Sequence, residues 1–305
     1  MTITSPRPLV IYHKSCADGY GAAFACWLHL KDTADYVPLQ YGFKLEELPD
    51  VTDRVVYIVD FSLPKDMFDA VLSQARYVYW FDHHKTAFEM WRPSEPFTDN
   101  AFVSENTNMY TIVLDNQRSG ALLTFNMLFP GADYTPLLFR SLDDYDRWQF
   151  QYGDTKAFNK GLWARAPWTF EQWQAIMLSP EATIDAGRVL LQDHEAKVKS
   201  AAEHALLPVT LPTATGLPAH GLAANVPGFL TSDVGHTLAQ QSGTFALLWH
   251  ITKDGFDRVK CSLRSEGSYD VSTLAKHFGG GGHKNAAGFE VPMRTLMDWL
   301  KPCGA

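Results

Sequence analysis

The chain has 305 residues, 46% apolar and 20% charged, with 26 basic against 34 acidic side chains and a net charge of −8. That length predicts two domains, each with a sizeable core. The acidic balance argues against long-range attraction to a polyanion, which excludes long duplex nucleic acid as the main partner but leaves room for a short anionic ligand in a local pocket.

The elements can be taken in chain order. LVIY (9–12) reads as a buried strand and AAFACWLHLK (22–31) as the helix after it. VVYIVDF (55–61) is a second strand, PKDMFDAVLSQA (64–75) a helix with Pro64 in its first turn, and YVYWFD (77–82) a third strand. Strand, helix, strand at this spacing predicts a parallel α/β sheet. In such sheets, sites gather beyond the carboxyl ends of the strands, where His13, Asp60 and Asp82 all fall. SGALLTFNMLF (119–129) and TPLLFRSLDDYDRW (135–148) read as helices. A helical pattern with few breakers over 181–207 predicts a linker between domains at 1–180 and 208–305, and Pro208, Pro212, Gly216 and Pro218 mark the composition shift after it. The second domain reads as α/β, with strands FALLWHIT (245–252) and RVKCSLRS (258–265) and the helix VSTLAKHF (271–278).

No apolar run reaches the roughly 18 residues of a membrane span. Cys16, Cys26, Cys261 and Cys303 form no CxxC pair or zinc-finger spacing. Free thiols, no signal core and no membrane partner make the cytoplasm the expected location.

The strand YVYWFD runs directly into Asp82, His83 and His84. Alone, this triplet fits a helix-capping turn as well as a metal site, since a carboxylate with imidazoles suits a divalent transition ion such as Mn²⁺. Asp18 in HKSCADGYG, Asp60 ending VYIVD and Asp144 in SLDDYDRW shift the reading towards metal. Four carboxylates in one crevice would repel each other unless cations lay among them. Two ions roughly 3.5–4 Å apart would remove that repulsion and could act on a phosphoryl group.

A second motif is GGGGHKNAAGF (279–289). It is not a P-loop, because no Gly-Lys-Ser/Thr follows. Gly280, Gly281 and Gly282 would let backbone N–H groups approach a phosphate, and His283 adds a donor. Arg264, near the end of the strand before it, could hold a phosphate bidentately. The plainer readings are a flexible loop and a surface salt bridge. Ser119-Gly120 reads as a helix cap, Lys85 as a solvated charge, and Trp148, Trp163, Trp168 and Trp173 as packing residues.

Asp82-His83-His84, with VYIVDFS before it and GGGGHKNAAGF downstream, resembles the DHH phosphoesterase family with a C-terminal DHHA1 domain, in motif order and over nearly the whole chain. The resemblance implies two α/β domains, an N-terminal parallel-sheet DHH domain and a smaller C-terminal DHHA1 domain, joined by a helical linker. It also implies particular roles. Asp60 is the acid of the second motif, Asp82 bridges two Mn²⁺ ions (Mg²⁺ being the alternative), His83 ligates a metal and His84 lies against the scissile phosphate. Asp144 matches the fourth motif best, with Asp143 its rival and Asp146 structural. Arg264 and His283, with Gly280, Gly281, Gly282 and Asn285 of the glycine motif, hold the substrate's phosphates opposite the metals. The first motif departs from the family pattern. His13-Lys-Ser-Cys16-Ala-Asp18-Gly19 puts Cys16 where an acid is expected, so the first metal has one carboxylate fewer or a water in its place. Asp18 stays a ligand, and His13 is a ligand or a core histidine.

The expected activity is Mn²⁺-dependent hydrolysis of short oligonucleotides or dinucleotides to mononucleotides, as in nanoRNases and oligoribonuclease-like members. The alternatives are a nucleotide bisphosphate phosphatase, a polyphosphatase, or an inactive nucleotide-binding module, for which Cys16 is the argument. A homodimer is compatible with the sequence.

Overall fold

The structure is a computed structural model that describes residues 6–204, 207–252 and 257–300. The chain divides into two compact units between Leu191 and Gln192. In the first, the strands are β1 (Leu9–His13), β2 (Asp35–Leu39), β3 (Val55–Val59), β4 (Tyr77–Asp82), β5 (Phe102–Asn106) and β6 (Tyr110–Asp115). They form one sheet in the order β2-β1-β3-β4-β6-β5, parallel except where β5 pairs antiparallel with β6 at the edge.

Both faces of this sheet are covered, which is why its central strands read as continuous apolar runs. Successive side chains point to opposite faces. Leu9, Ile11, Val56, Ile58, Val78, Trp80, Ile112 and Leu114 join one core cluster with Phe68 and Phe88. Phe68 belongs to helix α2 (Lys65–Gln74) and Phe88 to α3 (Lys85–Trp91), so these helices cover that face. Val10, Tyr12, Tyr57, Val59, Phe81 and Val113 face the other way, against Ala22, Ala23 and Cys26 of α1 (Ala17–Leu30) and Leu123 of α4 (Gly120–Leu128). A third cluster packs α1 and α4 against α5 (Leu137–Asp146), α6 (Thr155–Trp163) and α7 (Phe170–Leu178).

Helix α8 (Glu181–His204) contains the division between the units. Ile184 packs in the first unit, and Val198, Ala201 and Ala202 pack in the second. Residues 205–206, the end of the expected linker, lie outside the described residues, as does Cys303.

The second unit has β7 (Leu207–Leu211), β8 (Ala219–Asn225), β9 (Phe245–Ile251), β10 (Arg258–Ser265), β11 (Gly281–His283) and β12 (Ala286–Pro292) in the order β11-β12-β10-β9-β8-β7. Its pairings are antiparallel except for β8 with β9, so the sheet is mixed. That parallel pair is joined through helix α9 (Thr231–Ser242), which covers one face with Val234, Leu238 and Ala239. Leu274 of α10 (Val271–His277) and Leu296 of α11 (Met293–Trp299) pack on the other. Among the described residues, no helix is long and apolar enough to cross a membrane.

Candidate metal centre

Three neighbouring strands of the first sheet exchange apolar for polar residues at their carboxyl ends. His13 closes β1, Asp60 follows β3 and Asp82 closes β4. Asp18 enters from the first turn of α1. Its carboxylate accepts the N–H of Gly120 at 2.6 Å and of Ala121 at 3.1 Å, at the positive end of α4, where a carboxylate is favoured. Ser119 caps the same helix, accepting from Leu122 N at 3.4 Å. Its own N–H donates to Asp143 at 2.7 Å.

Asp60 has a left-handed backbone (φ 51°), a conformation that costs a non-glycine residue on the order of 1–3 kcal/mol. Its side chain is 1% exposed, and Oδ1 has no hydrogen-bond donor among the described residues, although His83 Nε2 lies 3.1 Å away. Gly120 makes this approach possible. A Cβ there would sit 2.5 Å from both Cβ and Oδ1 of Asp60. Asp82 is fully buried and well supplied, accepting from His83 N (2.7 Å), His84 N (3.2 Å), His84 Nδ1 (2.7 Å) and the Ser62 hydroxyl.

Among residues of the first unit alone, potential ligand atoms converge in three overlapping groups. Those of Asp60, Asp82, His83 and His84 lie within 4.8 Å of one another, as do those of His13, Cys16 and Asp60, and those of Asp18, His83 and Asp146. Asp60 and His83 are shared, so the groups make one contiguous cluster.

The electrostatics describe a site with too much negative charge. Burial, then the charges of Asp18, Asp82 and Asp146, push the Asp60 carboxyl well above the usual range. Burial and the Asp18 charge raise Asp146 to about 8. Burial would also raise Asp82, but His84, by charge and hydrogen bond, holds it below the ordinary value. Burial lowers His83 and His13 to about 4, so both imidazoles are neutral donors near pH 7. The Cys16 thiol is raised, first by burial and then by Asp60. Neutral imidazoles, crowded carboxylates and a buried oxygen lacking a donor are the donor set a divalent cation needs, so the residues fit such an ion.

Asp144, the expected fourth-motif ligand, is placed differently from Asp146. Its carboxylate lies outside these groups and accepts from Gln151 N (2.7 Å), Tyr152 N (3.1 Å) and the Thr155 hydroxyl, tying the loop after α5 to the start of α6. Asp146, expected to be structural, joins Asp18 and His83 instead. Helical geometry is the reason. Asp143 and Asp146 are three residues apart and share a face of α5, while Asp144 is turned about 100° away from Asp143. That spacing was the overlooked signal. Ser62, which holds Asp82, and Tyr41, whose ring lies 5.2 Å from that of His13, had no signal of their own.

In the second unit, Arg264 shares a face of β10 with Ser262, opposite the buried Cys261 and Leu263. Its side chain lies over Gly235 of α9, where a Cβ would meet Arg264 Cγ at 2.6 Å. The guanidinium donates to Ser232 Oγ (3.0 Å) and Leu263 O (2.9 Å), and burial lowers its pKa to about 10. His283 closes β11 opposite Ala286 of β12. Among the glycines, a Cβ on Gly280 would meet Gly288 O at 2.0 Å and one on Gly282 (φ 140°) would meet Ala286 O at 2.5 Å, whereas Gly281 has open space. Asn285 braces the turn after β10, donating to Ser265 Oγ (3.0 Å) and Tyr269 O (3.3 Å). Gly280, Gly282 and Asn285 therefore have structural work of their own. Trp173 is core, Trp163 is half-exposed against Trp168, and Lys85 lies over the ring of Phe97.

Residues 231–301, from the start of α9 onward, match the DHHA1 domain family. Uncharacterized protein R106 of Acanthamoeba polyphaga mimivirus is 26% identical over 302 residues, covering 92% of this chain and 66% of that protein. The chain thus spans just under two thirds of that relative's length. Similar solved structures include the pGpG-specific phosphodiesterase PggH of Vibrio cholerae (TM-score 0.50, 12% identity, 96% of each chain covered). RecJ of Thermus thermophilus, solved in complex with Mn²⁺, gives a TM-score of 0.51 at 15% identity, covering 97% of this chain and 51% of RecJ. CDC45 of Entamoeba histolytica gives 0.50 at 9% identity, covering 96% and 94%. At these identities the likeness is one of fold. Residues 231–301 thus match a DHHA1 domain, and the chain shares its two-domain α/β fold with these structures.

Proposed function

We propose that this protein is a divalent-metal-dependent phosphodiesterase that hydrolyses very short oligonucleotides, dinucleotides above all. The observation that carries the reading is the meeting of Asp18, Asp60, Asp82, His83, His84 and Asp146 at the carboxyl ends of parallel strands, with a buried Asp60 oxygen that lacks a hydrogen-bond donor. Asp18, Asp60, Asp82, His83 and Asp146 would hold the metal, with His13 beside them. Bound divalent ions supply Lewis-acid activation of water and neutralise charge on the phosphate. The chain's own residues set the stage. Asp82 fixes the His84 ring through Nδ1 at 2.7 Å, which orients the imidazole as a hydrogen-bonding group for a phosphate oxygen. The Asp18 contacts to Gly120 and Ala121 tie α4 to α1, so the carboxylates are held before substrate arrives. On the second unit, Arg264 offers a guanidinium to a terminal phosphate.

The acidic balance of the chain supports a small substrate, since it provides no long basic track for a polymer. The fold shared with PggH, a pGpG-specific phosphodiesterase, makes pGpG the first dinucleotide to try. The test is a panel of pGpG, other dinucleotides, longer RNA, a nucleotide 3′,5′-bisphosphate and polyphosphate, each with Mn²⁺. Dinucleotides turning over fastest is the expected result. Turnover confined to bisphosphate or polyphosphate contradicts it.

A further inference from the structure

Cys16 differs from every other donor of the cluster in being soft. Its sulfur, a His13 nitrogen and an Asp60 oxygen lie within 4.8 Å of one another. The backbone holds this trio firmly. His13 ends β1, Ser15 makes the turn with φ 59°, and Cys16 takes the N-cap position of α1, where Asp, Ser or Asn would be the ordinary capping residues. Gly19 brings α1 down onto the strand end, since a Cβ there would meet His13 O at 2.3 Å. Asp60 is 1% exposed; its Oδ2 lies 3.9 Å from His13 Nδ1, and its Oδ1, which has no hydrogen-bond donor among the described residues, lies 3.1 Å from His83 Nε2.

One nitrogen, one sulfur and one carboxylate oxygen form a three-ligand set of the kind that holds Zn²⁺ with a position left open. A thiolate favours Zn²⁺ and Co²⁺, while Mg²⁺ and Mn²⁺ favour carboxylate. We propose that the centre is chemically divided: His13, Cys16 and Asp60 select a thiophilic ion, Zn²⁺ or Co²⁺, while Asp18, His83 and Asp146 take a harder one such as Mn²⁺. This rests on the reading of the cluster as a metal centre and adds which ion each half prefers. On ligation the thiol proton, together with any proton held on the Asp60 carboxyl, passes to solvent.

Cobalt tests the division because thiolate ligation gives Co²⁺ a near-ultraviolet charge-transfer absorption that carboxylates and imidazoles do not. The full chain, in a Cys303→Ser background and dialysed against a chelator, is titrated with Co²⁺ while bound metal is counted by equilibrium dialysis. Cys26 and Cys261 are buried in the cores. The expected result is a band that saturates at one equivalent and is absent in Cys16→Ser. Cys16→Asp should also lose it, while shifting preference towards Mn²⁺ over Zn²⁺ by at least about tenfold. Stoichiometric Co²⁺ binding without the band, or a band that survives Cys16→Ser, overturns the division and leaves the metal centre standing. Failure of the parent to retain either Co²⁺ or Mn²⁺ overturns the metal centre, and the division with it.

Discussion

The two units place polar groups among apolar ones in opposite ways. In the second, Arg264 is a lone cation whose hydrogen bonds go to Ser232 and a main-chain carbonyl, and Asn285 spends its amide bracing a turn. Neither group is crowded by others of like charge, so they call for no cation. In the first unit, Asp18, Asp60, Asp82 and Asp146 are brought together with neutral imidazoles, and Oδ1 of the buried Asp60 has no donor among the described residues. Like charges at that spacing raise each other's pKa and leave the fold short of positive charge. A second unit that is complete and a first that is not implies that a bound cation should change the first far more than the second.

The comparison breaks most sharply at Asp82. Asp82→Ala should reduce turnover of a dinucleotide by about 10³-fold or more while circular dichroism still reports a folded chain. Retained turnover would contradict the assignment. Next comes Gly120→Ala. The added Cβ would sit 2.5 Å from Asp60, so α4 or the carboxylate must shift, and a displacement near 1 Å should cost about 10²-fold in kcat/KM. A pair of variants then separates two acids that are neighbours in sequence. Asp146→Asn should impair activity and Mn²⁺ binding with little change in Tm. Asp144→Ala should lower stability by about 1–3 kcal/mol, because it leaves Gln151 N, Tyr152 N and Thr155 without their acceptor. If Asp144→Ala instead abolished Mn²⁺ binding at unchanged stability, Asp144 rather than Asp146 would be the ligand.

The smallest effect is on pH dependence, and its sign follows from the shifted groups. Asp60 and Asp146 have folded pKa values raised above their unfolded ones, Asp146 to about 8. Their contribution is fully present at acid pH and is lost as pH rises through the folded values. His13 and His83, lowered to about 4, are already neutral above pH 7, and Asp82 is already ionised. Between pH 7 and 9 the metal-free protein should therefore lose Tm. Saturating Mn²⁺ should reduce that loss, because metal replaces protons on the same oxygens. Parallel curves with and without Mn²⁺ would contradict this.

The parallel strands were legible because burial on both faces makes them apolar runs, and YVYWFD spans β4 from end to end. The acids at their ends were legible for the same reason, since a carboxylate is conspicuous after such a run. Other strands left no comparable trace. β2 contains Pro38, tolerated because the strand lies at a sheet edge, and β5, the other edge, reads FVSEN with one buried residue. β8, AHGLAAN, has no β-branched residue and no Phe, Tyr or Trp, and Gly221 is needed where a Cβ would meet Phe245 O at 2.5 Å. At the centre, the swap of Asp144 for Asp146 shows the limit of motif matching. The letters D-Y-D-R-W do not say which acid faces inward, whereas the three-residue spacing from Asp143 along α5 does.

The most direct test of the metal centre is a calorimetric titration of Mn²⁺ into chelator-treated wild type and Asp18→Asn, followed by thermal melts of both. Wild type should bind at least one Mn²⁺ per chain and gain Tm, by about 2.7 kcal/mol of stability at a hundredfold excess over Kd. Asp18→Asn, which changes one carboxylate of the group with His83 and Asp146, should lose that binding. Wild type that binds no Mn²⁺, or Asp18→Asn that binds it undiminished, would contradict the account.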